Sequence, residues 1–227
     1  MSMLYNLGTG LMRRIYDSRI SDPSVLDPAT RFPEAQRFVE AWPVLRAEAL
    51  RLSEDIGNIP RFHELMAEQA DISTNDQRDW RMFVLKAYGV PIAPNMVRCP
   101  ALAELVQSVP DVLSASLSFL APHKHIPRHR GPFRGVLRFY LGLSVPVDIA
   151  GHPATVLKID DTEYRLADGE SLLWDDTFAH EVWNHSESPR IALLLDVRRR
   201  GMPFDLALLS RLIVGAVGLT VRIRKPV

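Results

Sequence analysis

The chain has 227 residues, 47% hydrophobic and 24% charged, enough apolar material for one sizeable core but short for two full domains. Twenty-seven basic and 27 acidic residues give a formal net charge of zero, so the charge gives no reason to expect nucleic acid as a partner. A single cysteine, Cys99, excludes an internal disulfide and a thiolate metal cluster, and is consistent with a reducing compartment.

The opening "MSMLYNLGTGLMRRIYDSR" carries its arginines after the apolar part, unlike a secretory signal. "SRISDPSVLDPATRFP" reads as a proline-punctuated connector. "PEAQRFVEAW" predicts a helix opened by Pro33, with Phe38, Val39 and Trp42 on one face. "PVLRAEALRLSEDIG" predicts another, started by Pro43 and stopped by Gly57, with Leu45, Ala49 and Leu52 sharing a face.

The second half changes period. Strands are predicted over 79–89, 111–120, 134–145, 154–160, 162–167, 171–175 and 190–197, all rich in β-branched or aromatic residues. Asp160-Asp161 and Asp168-Gly169 are turn signals, so 154–175 reads as an antiparallel meander. Short strands at regular spacing favour a sandwich or jelly-roll barrel over a parallel sheet. No phosphate-binding loop and no internal repeat occurs. No run of about twenty uncharged apolar residues predicts a spanning helix. The tail is apolar from Leu206 to Val221 apart from Arg211, and ends in Arg222, Arg224 and Lys225. It predicts a C-terminal helix packed on the core. The alternative is an interfacial helix whose basic end touches a membrane through residues 203–222. The expected organisation is one domain: a helical layer over 1–75, a β core over 76–200, and an apolar helix with a basic tail over 201–227.

Five of the seven histidines lie within 123–180. His129 precedes the strand beginning near Arg134, and His180 follows the strand ending near Asp175. Loops so placed in a jelly roll can face one barrel mouth, where two imidazoles can share iron, zinc, copper or nickel. Arg138 stands between Leu137 and Phe139, so strand alternation sends it to the opposite face. Arg190 begins the last predicted strand. A buried guanidinium is costly unless it meets an anion. Two histidines and two arginines inside a barrel would therefore bind a metal together with a small dianion. A dicarboxylate that chelates iron at one end and meets an arginine at the other fits best.

"SFLAPHKHIPRHRGPFRGVLRFYLGLSVP" followed by "GESLLWDDTFAHEVWNHSESPRIALLLDV" resembles the aspartyl/asparaginyl β-hydroxylase family of Fe(II)/2-oxoglutarate-dependent dioxygenases, over about Trp80 to Val197. The resemblance implies a mainly β fold with flanking helices around a double-stranded β-helix, a cupin-like jelly roll. It implies His129 and His180 as iron ligands, and Arg190 and Ser118 on the distal carboxylate of 2-oxoglutarate. Arg138 is implied near the metal-bound carboxylate. Tyr140 stands where the family often has histidine and keeps a hydrogen-bond donor there. Gly131 stands where most oxygenases of the superfamily place a carboxylate, which implies a two-histidine site. The implied activity is hydroxylation of an unactivated C–H bond, with 2-oxoglutarate and O2 giving succinate and CO2. Relatives that act on Asp or Asn side chains commonly carry a basic residue at the position of Val136. Its replacement by valine removes an anchor for an acidic substrate and suits an acyl chain, as in the lipid-hydroxylating bacterial branch. The expected partner is thus a small-molecule, peptide or lipid acyl substrate. A cytoplasmic location is expected, at the inner face of the membrane if the tail docks there.

The rival from another class is a non-catalytic cupin-like module that holds a structural metal or a ligand. Asp175 and Asp176 read as turn residues or supports of the His180 loop. His123, His125, His152 and His185 read as surface or supporting groups. Arg128, Arg130 and Arg134 are either a solvated cluster or a greeting for an anionic substrate. Trp80 and Trp183 read as core, and Cys99 as inert.

Overall fold

A computed structural model describes residues 3–224, the side chains of residues 3–7, 9 and 224 excepted. Helix α1 (Met3–Asp17) leads into strand β1 (Val25–Leu26) and helices α2 (Pro28–Arg31), α3 (Ala35–Glu40), α4 (Trp42–Ser53) and α5 (Phe62–Leu65). Strands β2 (Trp80–Ala87) and β3 (Val90–Pro91) precede α6 (Ala93–Arg98) and α7 (Pro100–Ser108). Then come β4 (Val112–Leu120), β5 (His125–His129), β6 (Val136–Ser144), β7 (Thr155–Ile159), β8 (Thr162–Tyr164), β9 (Ser171–Trp174), β10 (His180–Asn184) and β11 (Arg190–Arg198). Helix α8 (Phe204–Arg224) closes the described chain.

The strands form a seven-stranded sheet, ordered β1-β9-β6-β11-β4-β2-β3, and a four-stranded sheet, ordered β5-β10-β7-β8. Every strand pairing is antiparallel, and the architecture is a jelly roll with flanking helices. Alternation divides the large sheet into two faces. Leu117, Phe119, Leu137, Phe139, Leu193 and Leu195 join Phe38, Leu45 and Leu102 of α3, α4 and α7 in the main apolar core. That core lies outside the barrel, between sheet and helices. The opposite face carries Ser118, Arg138, Tyr140 and Arg190 toward the small sheet.

Leu45, Ala49 and Leu52 are buried along α4, as their spacing predicts. Glu48 is buried with them. Its carboxylate accepts from the backbone N–H groups of Ala101 (2.7 Å) and Leu102 (3.1 Å), the positive end of α7.

The structure corrects several expectations. The turn at Asp160-Asp161 joins β7 to β8 as predicted, with Asp160 at φ 50°, which Asp tolerates. The meander stops there, because β9 crosses to the large sheet and pairs with β6 and β1. The connector supplies strand β1, so the N-terminal segment is part of that sheet. Helices α6 and α7 fill the stretch left unassigned between the predicted strands 79–89 and 111–120. Strands β5 and β10 carry His129 and His180, which were expected in loops. Polar residues and Pro127 hid β5 from the pattern; proline is tolerated there because β5 is an edge strand.

The segment Phe204–Ile223 is long and apolar enough to cross a membrane by length and composition, contrary to the expectation from the sequence. It also packs on the protein. Leu206, Ser210, Val214 and Gly218 recur every fourth residue and are buried, a single helical stripe. Tyr16 of α1 meets Ser210 Oγ at 2.8 Å, and Arg19 pairs with Asp205. Phe204, Leu208, Leu212, Leu219 and Ile223 stay exposed. Lys225 lies outside the described residues, as does the side chain of Arg224.

Candidate functional site

The two sheets enclose a cavity that opens to solvent at one mouth. His129 and His180 face each other across its wall as direct register partners of β5 and β10. Their ring centroids are 4.1 Å apart. Each Nδ1 lies on a carbonyl oxygen two residues back, Pro127 for His129 (2.8 Å) and Phe178 for His180 (3.0 Å). A carbonyl only accepts, so both Nδ1 atoms carry the proton and both Nε2 atoms keep a free lone pair. Burial holds both rings neutral, with pKa values pushed down to about 4 for His129 and about 3 for His180.

The loop before His180 is fixed by buried charge. Asp175 is fully buried and accepts from Arg134 Nε (2.9 Å) and from Arg199. Thr177 closes the turn by donating N–H and O–H to Asp175 Oδ1. Arg199 also reaches Asp22, and Arg134 reaches Asp17, so the N-terminal segment is tied to this loop. Arg134 therefore belongs to a buried network. Arg128 and Arg130 instead donate to the Asp160 and Thr177 carbonyls from the surface.

Asp176 fills the space beside Gly131. A Cβ on residue 131 would collide with its carboxylate, so any other residue there would displace Asp176. Asp176 Oδ2 lies 3.2 Å from Arg138, while Oδ1 is buried without a partner. Burial raises this carboxyl to about 6. Arg138 also holds Asp196, its register partner on β11, at 2.8–2.9 Å. Arg138 lines the cavity, yet two carboxylates already neutralise it. The sequence suggested an arginine free for a co-substrate.

Arg190 is the opposite case. It is buried, and among the described residues no carboxylate pairs with it. Its Nε has no partner, and one terminal nitrogen makes a long 3.4 Å contact to Ser118 Oγ. Burial lowers its pKa, the mark of a cation held without a counter-ion. Its guanidinium lies 5.8 Å from the Tyr140 ring, and burial keeps the Tyr140 hydroxyl protonated as a donor. Trp80 donates to Ser118 at 3.0 Å and lines the cavity, so it is more than core.

Two lining groups escaped the sequence reading. Thr155 Oγ1 and Trp174 Nε1 are both buried with no partner. The signal was present in the strand period: Thr155 shares a face with Leu157 and Ile159, and Trp174 with Leu172. Val136 is not in the cavity wall. It packs on Leu113 and Val214, beneath α8. His123 pairs with Glu187, His125 stacks on Trp183, and His152 and His185 are exposed, as expected of surface groups.

Among the described residues, no three His, Cys, Asp or Glu side chains converge as a metal site. The donors that do meet still suit a divalent metal. Two neutral imidazoles are oriented by backbone carbonyls, and an unpartnered carboxylate oxygen lies against Gly131, two residues past His129. The far end suits an anion. Fold and cavity together define a cupin-like jelly-roll protein with a paired-histidine centre. A model of the family described as Aspartyl/Asparaginyl beta-hydroxylase matches residues 39–200, and the chain belongs to that hydroxylase family. It is 34% identical to the ornithine lipid ester-linked acyl 2-hydroxylase of Rhizobium tropici, over 79% of this chain and 62% of that protein. It is 24% identical to the human aspartyl/asparaginyl beta-hydroxylase, over 77% of this chain and 23% of that one. The chain thus spans under two thirds of either relative. Among solved structures, a predicted oxalate decarboxylase from Thermotoga maritima aligns with a TM-score of 0.36 at 12% identity, over 53% of this chain and 81% of that one.

Proposed function

We propose that the protein is an Fe(II)- and 2-oxoglutarate-dependent dioxygenase that hydroxylates an unactivated C–H bond in the acyl chain of a membrane lipid. Arg190 carries this reading: a buried, unpaired guanidinium at one end of a cavity whose other end holds two neutral imidazoles. His129 and His180 would hold the metal through Nε2. Iron, when bound, supplies O2 activation, coupling 2-oxoglutarate and O2 to succinate, CO2 and a hydroxylated product. Arg190 would grip the distal carboxylate, a task suited to its fork, with Ser118 and Tyr140 beside it. Arg138 would hold the Asp176 carboxylate in place, in reach of groups at the metal end. The largely apolar cavity wall would limit water at the reacting centre.

The acyl reading rests on what remains. Arg138 is already neutralised, so once Arg190 is occupied the cavity offers an acidic side chain no further free cation among the described residues. The remaining wall includes Leu157, Leu166, Leu194 and Val182. The Rhizobium relative's name points the same way. An Asp or Asn side-chain substrate is the second reading, favoured by the human relative's name.

The exposed apolar face of α8, with Arg211 and Arg222, supports peripheral membrane contact through residues 203–222, which a cytoplasmic protein would make at the inner face. Two assays test the whole. Succinate release is measured with iron and 2-oxoglutarate while lipids, peptides and amino acids are added singly. Stimulation by a lipid supports the acyl reading, and stimulation only by an Asp or Asn peptide overturns it. Co-sedimentation with anionic vesicles is compared with a Leu212→Gln/Leu219→Gln/Ile223→Gln variant, which leaves the buried stripe intact. Equal sedimentation of both overturns the contact.

A further inference from the structure

The pairing register gives the cavity two ends. On the small sheet, His180 is opposite Ile159, Val182 opposite Leu157 and Asn184 opposite Thr155. Thr155 therefore lies on the same inward face as His180, four residues along, or about 13 Å. Asn184 donates to the Leu120 carbonyl (3.3 Å), and Leu120 is the register partner of Arg190. Thr155 is thus at the Arg190 end, far from the histidines. It is 6% exposed, lines the cavity, and its hydroxyl has no partner. A buried hydroxyl without a partner is uncommon and costly. Two such orphans, Thr155 Oγ1 and Arg190 Nε, stand at one end of one cavity.

We propose that the Thr155 hydroxyl is an anchor for the far carboxylate of the dicarboxylate co-substrate, donating to a lone pair that the two-pronged Arg190 contact leaves free. This rests on the co-substrate reading above. Arg190 supplies charge and a planar fork, and Ser118 already accepts from Trp80. Thr155 adds a donor from the other sheet, so the carboxylate is gripped across the barrel. That grip fixes the distance from the carboxylate to the histidine end, and with it the length of diacid accepted.

Calorimetric titration of 2-oxoglutarate into the 227-residue chain loaded with Mn(II) tests this, with Thr155→Val and Thr155→Ser beside the unaltered chain. Loss of a hydrogen bond to a charged group predicts roughly tenfold or weaker binding for Thr155→Val, and near-normal binding for Thr155→Ser. The melting temperature without ligand should be unchanged or higher in Thr155→Val, since the lost hydroxyl had no protein partner. A merely structural threonine would instead lower it. Equal affinity in Thr155→Val overturns the Thr155 assignment alone. Absence of 2-oxoglutarate binding in the unaltered protein overturns both this assignment and the co-substrate reading.

Discussion

His129 and His180 are a single register pair, joined by the ladder between β5 and β10 and separated by 51 residues of chain. Their proximity is a property of sheet pairing rather than of two mobile loops. Each ring is locked by its Nδ1 bond to a carbonyl on its own strand or turn. The site is therefore pre-organised before any ligand arrives.

This pair makes a pH prediction. Both histidines have pKa values well below the ordinary 6.5, about 4 and about 3. The unfolded chain then binds more protons than the folded one between about pH 6.5 and 4, so metal-free stability falls as pH drops through that window. Asp176, raised to about 6, works the other way between its ordinary value and 6. It is present in both proteins when the chain is compared with a His129→Asn/His180→Asn variant. Urea midpoints from pH 7 to 4 should fall more steeply for the unaltered protein. Parallel curves would contradict neutral, buried rings.

Arg190 sets function against stability. A guanidinium buried without a counter-ion is costly, and an apolar side chain of similar length removes the cost. Arg190→Met should raise metal-free stability by about 1–2 kcal/mol. The same change should weaken 2-oxoglutarate binding at least a hundredfold, because a bidentate charged contact is lost. Thermal melts and calorimetry check the two halves. A destabilised variant would mean that Arg190 has a partner in the fold.

Asp175 should behave as a structural keystone. It is fully buried between Arg134 and Arg199, so Asp175→Asn leaves two guanidinium groups facing a neutral amide. The expected loss is about 3–5 kcal/mol. Metal affinity should fall as well, because the loop before His180 loses its anchor. Denaturation and metal titration read these separately.

The chemistry was more legible in the sequence than the strands that carry it. The two histidines and Arg190 stand out as residue types, the family resemblance adds Ser118, and the structure brings all four to one cavity. Strands β5 and β10 did not stand out, since a functional strand places polar residues where the pattern expects apolar ones. Alternation correctly sent Arg138 inward. It could not show that Asp176 and Asp196 neutralise it, because those partners come from distant strands. Val136 suggested a substrate wall, yet it supports α8. Strand periodicity assigns a face, not a position along the barrel. The buried orphans Thr155 and Trp174 required knowing which inward polar groups lack partners.

Cys99 is fully buried, and burial pushes its thiol up to about 12. A disulfide exchange reagent should therefore label the native protein far more slowly than the unfolded one. Fast native labelling would contradict this packing.

The central claim is the paired-histidine iron centre with 2-oxoglutarate on Arg190. Anaerobic addition of Fe(II) and 2-oxoglutarate to the unaltered chain should produce a weak visible charge-transfer band, saturating at one equivalent of each. The band should be absent in His129→Ala and in His180→Ala. A band that persists in both variants, or never forms in the unaltered protein, would contradict it.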